Sequence, residues 1–328
     1  MVWDEFVYHT KPNMLNRRHI REKVLKTLYA YFQSDHTEIK VGEKELFHSI
    51  DKVYEIYLMY LSLAAELKDI ADNQINERKL KRLPTEEDLD PSMNFVNNRL
   101  IDAFERHSDL SGKLSKAKIN WVGHQEMIRK IFMQFRNDEV FTTYLRNPAP
   151  TFEDDQKILQ WIYEEHIFTS EILEQLFEER SIYWLDEIGL MQAGVLKTIK
   201  SLKADNPIDF RLLPLHKEEE EDRKFATDLF RQTVAHNEQF EKEIASKTQN
   251  WEIERVAKMD VILMKMAICE LTRFPSIPVK VTLDEYIELS KDYSSPQSKN
   301  FINGILDKIV VEYRRDNKIV KAGRGLVE

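Results

Sequence analysis

The sequence predicts an all-α protein. Three observations carry that prediction: only 8 Gly and 10 Pro in 328 residues, 42% hydrophobic against 32% charged residues, and apolar positions that recur at helical spacing along most of the chain. Few breakers and many Leu, Ile, Lys and Glu favour long helices with short connections. No stretch alternates apolar and polar residues for long enough to build a sheet.

Residues 1–13, "MVWDEFVYHTKPN", have neither a helical pattern nor the apolar core of a targeting peptide, and read as a flexible arm or an over-extended start. Residues 17–33 then place Ile20, Val24, Leu25, Leu28, Tyr31 and Phe32 on one helix face. A longer helix is predicted over 44–78, and Pro84 and Asp90-Pro91 punctuate the chain before a helix from about Met93 to His107. Helical patterns continue to Asn147, where "NPAP" interrupts them, and Thr151 with its acidic followers opens the next helix. Residues 181–203 make another helix, and "ADNPIDFRLLPLHK" is an extended linker. These elements form an N-terminal helical region over 14–215.

Past the linker, Glu218 to Asp222 reads as an acidic first turn, a solvated helix start. "KFATDLFRQTVAHNEQFEKEIASKT" is predicted as one helix, and "MDVILMKMAICEL", apolar almost all round, as a buried central helix. Thr282 and Glu285 have the spacing of a capping box. Ser295 suits the N-cap of a closing helix with Pro296 at its first position, and Gly304 suits close helix packing. A C-terminal helical domain thus spans 216–314, with a basic flexible tail over 315–328. The segment around Trp184 is similar to that around Trp251, with Glu187 over Glu254, either as a degenerate repeat or as the chance likeness of two amphipathic helices.

Composition narrows function. Cys269 is the single cysteine, which rules out a disulfide framework and fits a reducing, cytoplasmic setting. No apolar run approaches the ~18 residues of a membrane span. There is no Gly-rich phosphate loop, no G-x-S-x-G and no H-E-x-x-H, so no catalytic residue, cofactor or metal is expected. Glu45 and His48 have one half of a di-iron spacing, but the second Glu-x-x-His that such a bundle needs is missing.

The net charge of −9 argues against broad coating of nucleic acid. The ends differ: Lys11 to Lys26 holds six Lys/Arg and one Glu, and Lys308 to Arg324 six against two acids. Arg17, Arg18 and Arg21 are either part of a solvated helix face or donors to phosphates and base edges, for which planar, permanently charged guanidinium groups are suited. Lys299, Phe301 and Asn303 crowd the start of the closing helix, beside the apolar stripe Ile302, Ile305, Leu306 and Ile309. Phe301 is either a rim-of-core aromatic or a platform on which a single-stranded base stacks.

Ordered pieces of this pattern resemble the NusB family of transcription antitermination factors. They are Trp251, Ile253 and Arg255; Glu270-Leu271; Ile277-Pro278 and Lys280; Ile287 to Lys291; and Ser298 to Asp307. The opening helix joins them through Arg17, Arg18, Arg21, Glu22, Leu28 and Tyr29. The resemblance covers about 17–33 and 223–312 and leaves roughly 40–215 as a helical insertion or expansion. It implies two packed three-helix-type bundles with additional inserted helices, and no catalysis. It further implies pairing with NusE, a small-subunit ribosomal protein, and binding of boxA-like single-stranded nascent RNA in the transcription elongation complex of ribosomal RNA operons.

By that resemblance Arg17, Arg18, Arg21 and Phe301 match RNA-contacting positions, with Lys299 and Asn303 beside them, and Tyr29, Glu254 and Asp260 match the NusE face. Departures fall at Asn300, where the family has a lysine that here sits one place earlier as Lys299, at Gln297 and at His19. One rival reading is a helical adaptor of the same fold that has lost RNA binding. A ribosomal RNA methyltransferase fits poorly, since its Gly-rich loop is absent and Cys269 lies in the apolar helix.

Overall fold

The computed structural model describes residues 14–34, 38–184, 187–248 and 256–326, and among them every regular element is helical. In chain order, α1 is Arg17–Gln33, α2 Ile39–Lys79, α3 Glu86–Leu89, α4 Arg99–Arg106, α5 Ser108–Ala117, α6 Gln125–Phe135, α7 Glu139–Arg146 and α8 Phe152–Ile162. A π-helical turn, Tyr163–Ile167, continues α8. There follow α9 Glu171–Arg180, α10 Ile188–Ser201, α11 Glu219–Ala235, α12 Asn237–Ala245, α13 Lys258–Arg273, α14 Val279–Tyr293 and α15 Ser298–Arg315, with a 3-10 turn at Gly323–Leu326. The arm at 1–13 and, within the second half of the internal likeness, residues 249–255 with Trp251 and Glu254 lie outside the described residues.

The chain forms two compact units, one built from Met14 and Asp51–Leu215, the other from Leu15–Ile50 and His216 onward. Sequence order alone groups α1 with the N-terminal region. The structure instead puts it in the second unit, because its buried face, Ile20, Val24, Leu25 and Leu28, packs on α11 and α13.

The core of the first unit is apolar and rich in rings. Phe95, Phe132, Phe135 and Phe141 meet mostly edge to face, with Phe135 and Phe141 centroids 5.1 Å apart. Its buried hydroxyls are satisfied locally: Tyr163 donates to the Tyr60 carbonyl at 2.6 Å, and Tyr57 shares a 2.6 Å bond with Thr198. His166 packs against Phe135 and Trp161 within this core. Among the described residues no group of three His, Cys, Asp or Glu is placed to hold a metal ion, and no helix is long and apolar enough to cross a membrane.

In the second unit α13 is the central helix, buried continuously from Ile262 to Leu271, as its all-round apolar pattern predicts. α1, α11, α12, α14 and α15 pack around it. Gly42 lets the start of α2 approach α11, since a Cβ there would lie 2.4 Å from the Phe230 ring.

Several local expectations are corrected here. The helix predicted after the acidic run is two helices that meet at His236, whose ring nitrogen shares the Gln232 carbonyl with its own backbone N–H. Thr282 does not cap α14, which starts at Val279; its hydroxyl donates to buried Glu270 at 2.9 Å. α15 begins at Ser298, and Ser295 contributes its carbonyl to a turn, accepting from the Ser298 N–H at 2.9 Å. Gly304 supports no close packing, because a Cβ there would meet nothing within 4 Å.

The tail is not free either. Ala322 N–H donates to the Pro275 carbonyl at 2.9 Å, and Lys321 Nζ reaches the carbonyls of Phe274 and Glu270 at 3.1 and 3.4 Å. These carbonyls lie at the end of α13, where a cation complements the helix dipole. Burial pushes the Lys321 ammonium down to about 8, with Glu270 opposing. A Cβ on Gly325 would lie 1.9 Å from the Pro275 oxygen, so this approach requires glycine.

Candidate nucleic-acid interface

α1 starts at an Asn16 cap whose side chain accepts from the N–H groups of Arg18 and His19 at 2.8 and 3.1 Å, while His19 Nδ1 accepts from Asn16 N–H. The cap fixes where the three arginines emerge, and each meets a different environment. Arg17 is partly exposed, stacks over the Phe225 ring at 4.5 Å and pairs with Asp222 at 3.2 Å. Asp222 is 6% exposed, so the acidic start of α11 is more than a solvated turn.

Arg18 also reaches the surface, its Nε and Nη2 donating to the two oxygens of Glu285 at 3.0 Å each. That hydrogen bond is the main reason its guanidinium is held more firmly protonated than usual. Arg21 is different. It is 3% exposed, and its Nε and Nη2 donate to both oxygens of fully buried Glu270 at 2.8 Å. Burial disfavours its charge, but Glu270 outweighs this and the net effect raises its pKa. Thr282 and Tyr286 complete the shell by donating to Glu270 at 2.9 and 3.2 Å. The structure therefore assigns Arg21 to the inside, locking α1 to α13 and α14, where it is inaccessible to RNA.

At the other end of the surface, Lys299 is exposed on the first turn of α15 and Phe301 is half-buried. Asn303 donates to Asp307 at 3.1 Å. The link between the two ends is α14. Glu288 is held below the usual carboxylate range first by its hydrogen bond to Lys291, then by the charges of Lys291, Arg18 and Lys299. The charges of Arg18 and Lys299, from the two ends of the sequence, thus act on the same carboxylate. Glu285, Glu288 and Lys291, all on α14, were not singled out by charge pattern, because on sequence they are ordinary members of an amphipathic helix.

The candidate partner residues also separate. Tyr29 is 39% exposed on the outer side of α1. Asp260 is 4% exposed and accepts a hydrogen bond from Ser294, which bonds Ser298 at 2.9 Å, while Ser295 and Ser298 lie 2.8 Å apart. Asp260 therefore pins the corner between α14 and α15 that presents Phe301, and offers little surface to a partner.

These features define an all-helical protein whose candidate site is a mixed-charge helical surface with one half-buried aromatic. Residues 190–311 match the NusB family model, so the chain carries a NusB family domain. Three relatives are each named transcription antitermination protein NusB. That of Salinibacter ruber is 42% identical over 105 residues, 32% of this chain and 66% of the relative. That of Chloroherpeton thalassium is 35% identical over 106 residues, covering 32% and 50%. That of Geotalea daltonii is 41% identical over 85 residues, covering 26% and 59%. The matched stretches therefore span from half to just under two thirds of these relatives. The family match begins within α10 and does not include α1. No solved structure matches the chain.

Proposed function

We propose that this chain is a cytoplasmic, non-enzymatic transcription antitermination factor. In this reading it pairs with the small-subunit ribosomal protein NusE and binds boxA-like single-stranded RNA, supporting transcription of ribosomal RNA operons. The observation that carries the proposal is the two-pronged Arg18–Glu285 pair, which seats the basic start of α1 on α14, the helix that packs against α15 with Lys299 and Phe301 on its first turns. Arg17, Arg18 and Lys299 supply phosphate contacts, Phe301 a stacking platform and Asn303 an amide for a base edge. Tyr29 is the accessible member of the proposed NusE face. Arg21 and Asp260 act from inside, holding α1 and the α14–α15 corner in place. The family match and the names of the three relatives support this reading.

The test is RNA binding by the full chain with and without NusE, using a labelled boxA-type single strand. Binding should be weak alone, tighter with NusE and salt-sensitive. Arg17→Ala and Phe301→Ala should each weaken it; stacking alone is worth about 1–3 kcal/mol per base. Wild-type affinity in the double variant would sink the proposal. NusE binding with no RNA binding would favour the adaptor reading.

A further inference from the structure

Glu285 has no role in the reading above, yet it occupies the place a phosphate would take. Its Oε1 and Oε2 accept from Nη2 and Nε of Arg18 at 3.0 Å each, the two-pronged arrangement by which guanidinium groups take carboxylates and phosphates alike. Resting on the RNA-binding reading of α1, we infer that Glu285 is an internal phosphate mimic, which competes with RNA for Arg18 and holds down the RNA affinity of the free protein.

The two pairs on α1 show why this one is exchangeable. The Arg21–Glu270 pair has side chains 3% and 0% exposed and is enclosed by further donors. The Arg18–Glu285 pair is 41% and 20% exposed, and ion pairs so placed are weakly held because water and salt compete for both charges. An incoming phosphate meets Arg18 at the surface and offers the same geometry. Glu285 then keeps a counter-charge, because Arg21 Nη1 already lies 3.5 Å from its Oε2. Displacement therefore leaves no unpaired carboxylate. It does leave a negative charge beside the RNA, and that repulsion opposes binding.

The test compares the full-length wild type with Glu285→Gln, titrating a fluorescent single-stranded RNA at several salt concentrations. The amide keeps the shape of the carboxylate and removes its charge. RNA should bind about three- to tenfold tighter at low salt, and the salt dependence should steepen by about 0.7 on the log–log slope, as one further phosphate becomes neutralised. Adding Arg18→Ala should erase the gain. Should the glutamine variant fold poorly by circular dichroism, Glu285→Ala carries the same expectation. Unchanged or weaker RNA binding by folded Glu285 variants, with Arg17→Ala still weakening it, would overturn the inference and make Glu285 a support for Arg18. If Arg17→Ala and Phe301→Ala also leave binding unchanged, the RNA reading itself has failed, and the inference with it.

Discussion

The two units of this chain solve the same problem with different chemistry. The first holds 22 Lys/Arg against 31 Asp/Glu; its core is filled by phenylalanine and tyrosine rings, and buried carboxylates such as Asp155 pair with cations that stay partly exposed, here Arg99 at 2.6 Å. The second holds 26 of each and buries a charged pair, Arg21 with Glu270, against its central helix. The whole net charge of −9 thus belongs to the first unit. A surface for polyanions is electrostatically disfavoured there and permitted on the second, where basic residues from α1 and α15 gather around α14. The difference also shows that arginines clustered in sequence are not equivalent. In one helix Arg21 carries the fold, while Arg17 and Arg18 remain within reach of a ligand.

The comparison breaks most visibly at Arg21. Arg21→Ala would leave Glu270 charged and buried without its counter-ion, and should destabilise the second unit by about 3–5 kcal/mol. Arg17→Ala, which removes a more exposed pair, should cost about 1 kcal/mol or less. Denaturant unfolding checks both. Cys269 supplies an independent readout, since it is the one cysteine, is fully buried, and has its thiol pushed up to about 12 by burial. At pH 8 a thiol reagent should leave native wild type unlabelled, label unfolded chain completely, and label Arg21→Ala faster than wild type. Equal labelling rates would show that the Arg21–Glu270 pair does not hold this unit closed.

Periodicity made the helices legible. α1 spans 17–33 as its apolar spacing predicts, and α13 is buried as an all-round apolar segment must be. The fate of Arg21 was not legible from its own surroundings, because its partner lies 249 residues away in sequence. A signal was nevertheless present at the other end. Glu270 sits in a helix too apolar to leave it solvated, so a cation had to be found for it. Caps misled for a related reason: Thr282 fits a capping box, yet the same buried carboxylate takes its hydroxyl. The tail reads as flexible from its charge, while its docking depends on Gly325 and on carbonyls at the end of α13, which no side-chain pattern reveals.

Asp260 gives the next largest effect and sharpens the contrast between holding a surface and forming it. Asp260→Ala removes the acceptor for Ser294 and loosens the serine cluster at the α14–α15 corner, with an expected loss of about 1–3 kcal/mol. RNA binding should weaken through Phe301, with NusE binding kept, which separates a positioning role from a partner contact. If NusE binding is lost while stability and RNA binding stay unchanged, Asp260 is a contact residue after all.

The smallest effect is expected at Gly304, an exposed position inside α15 with open space where a Cβ would be. Glycine in a helix interior costs about 0.5–1 kcal/mol relative to alanine. With no neighbour to clash, Gly304→Ala should stabilise the second unit by that amount, seen as a higher unfolding midpoint. The free protein gives no packing reason for the glycine. Gly304 follows Asn303 directly and lies one turn beyond Phe301, so a methyl group there probes how closely RNA passes α15. The variant should be more stable and bind RNA less tightly, the opposite pairing to Arg21→Ala, which loses stability first. Stabilisation with unchanged RNA affinity would confine the contact to the first turn of α15, at Lys299 and Phe301.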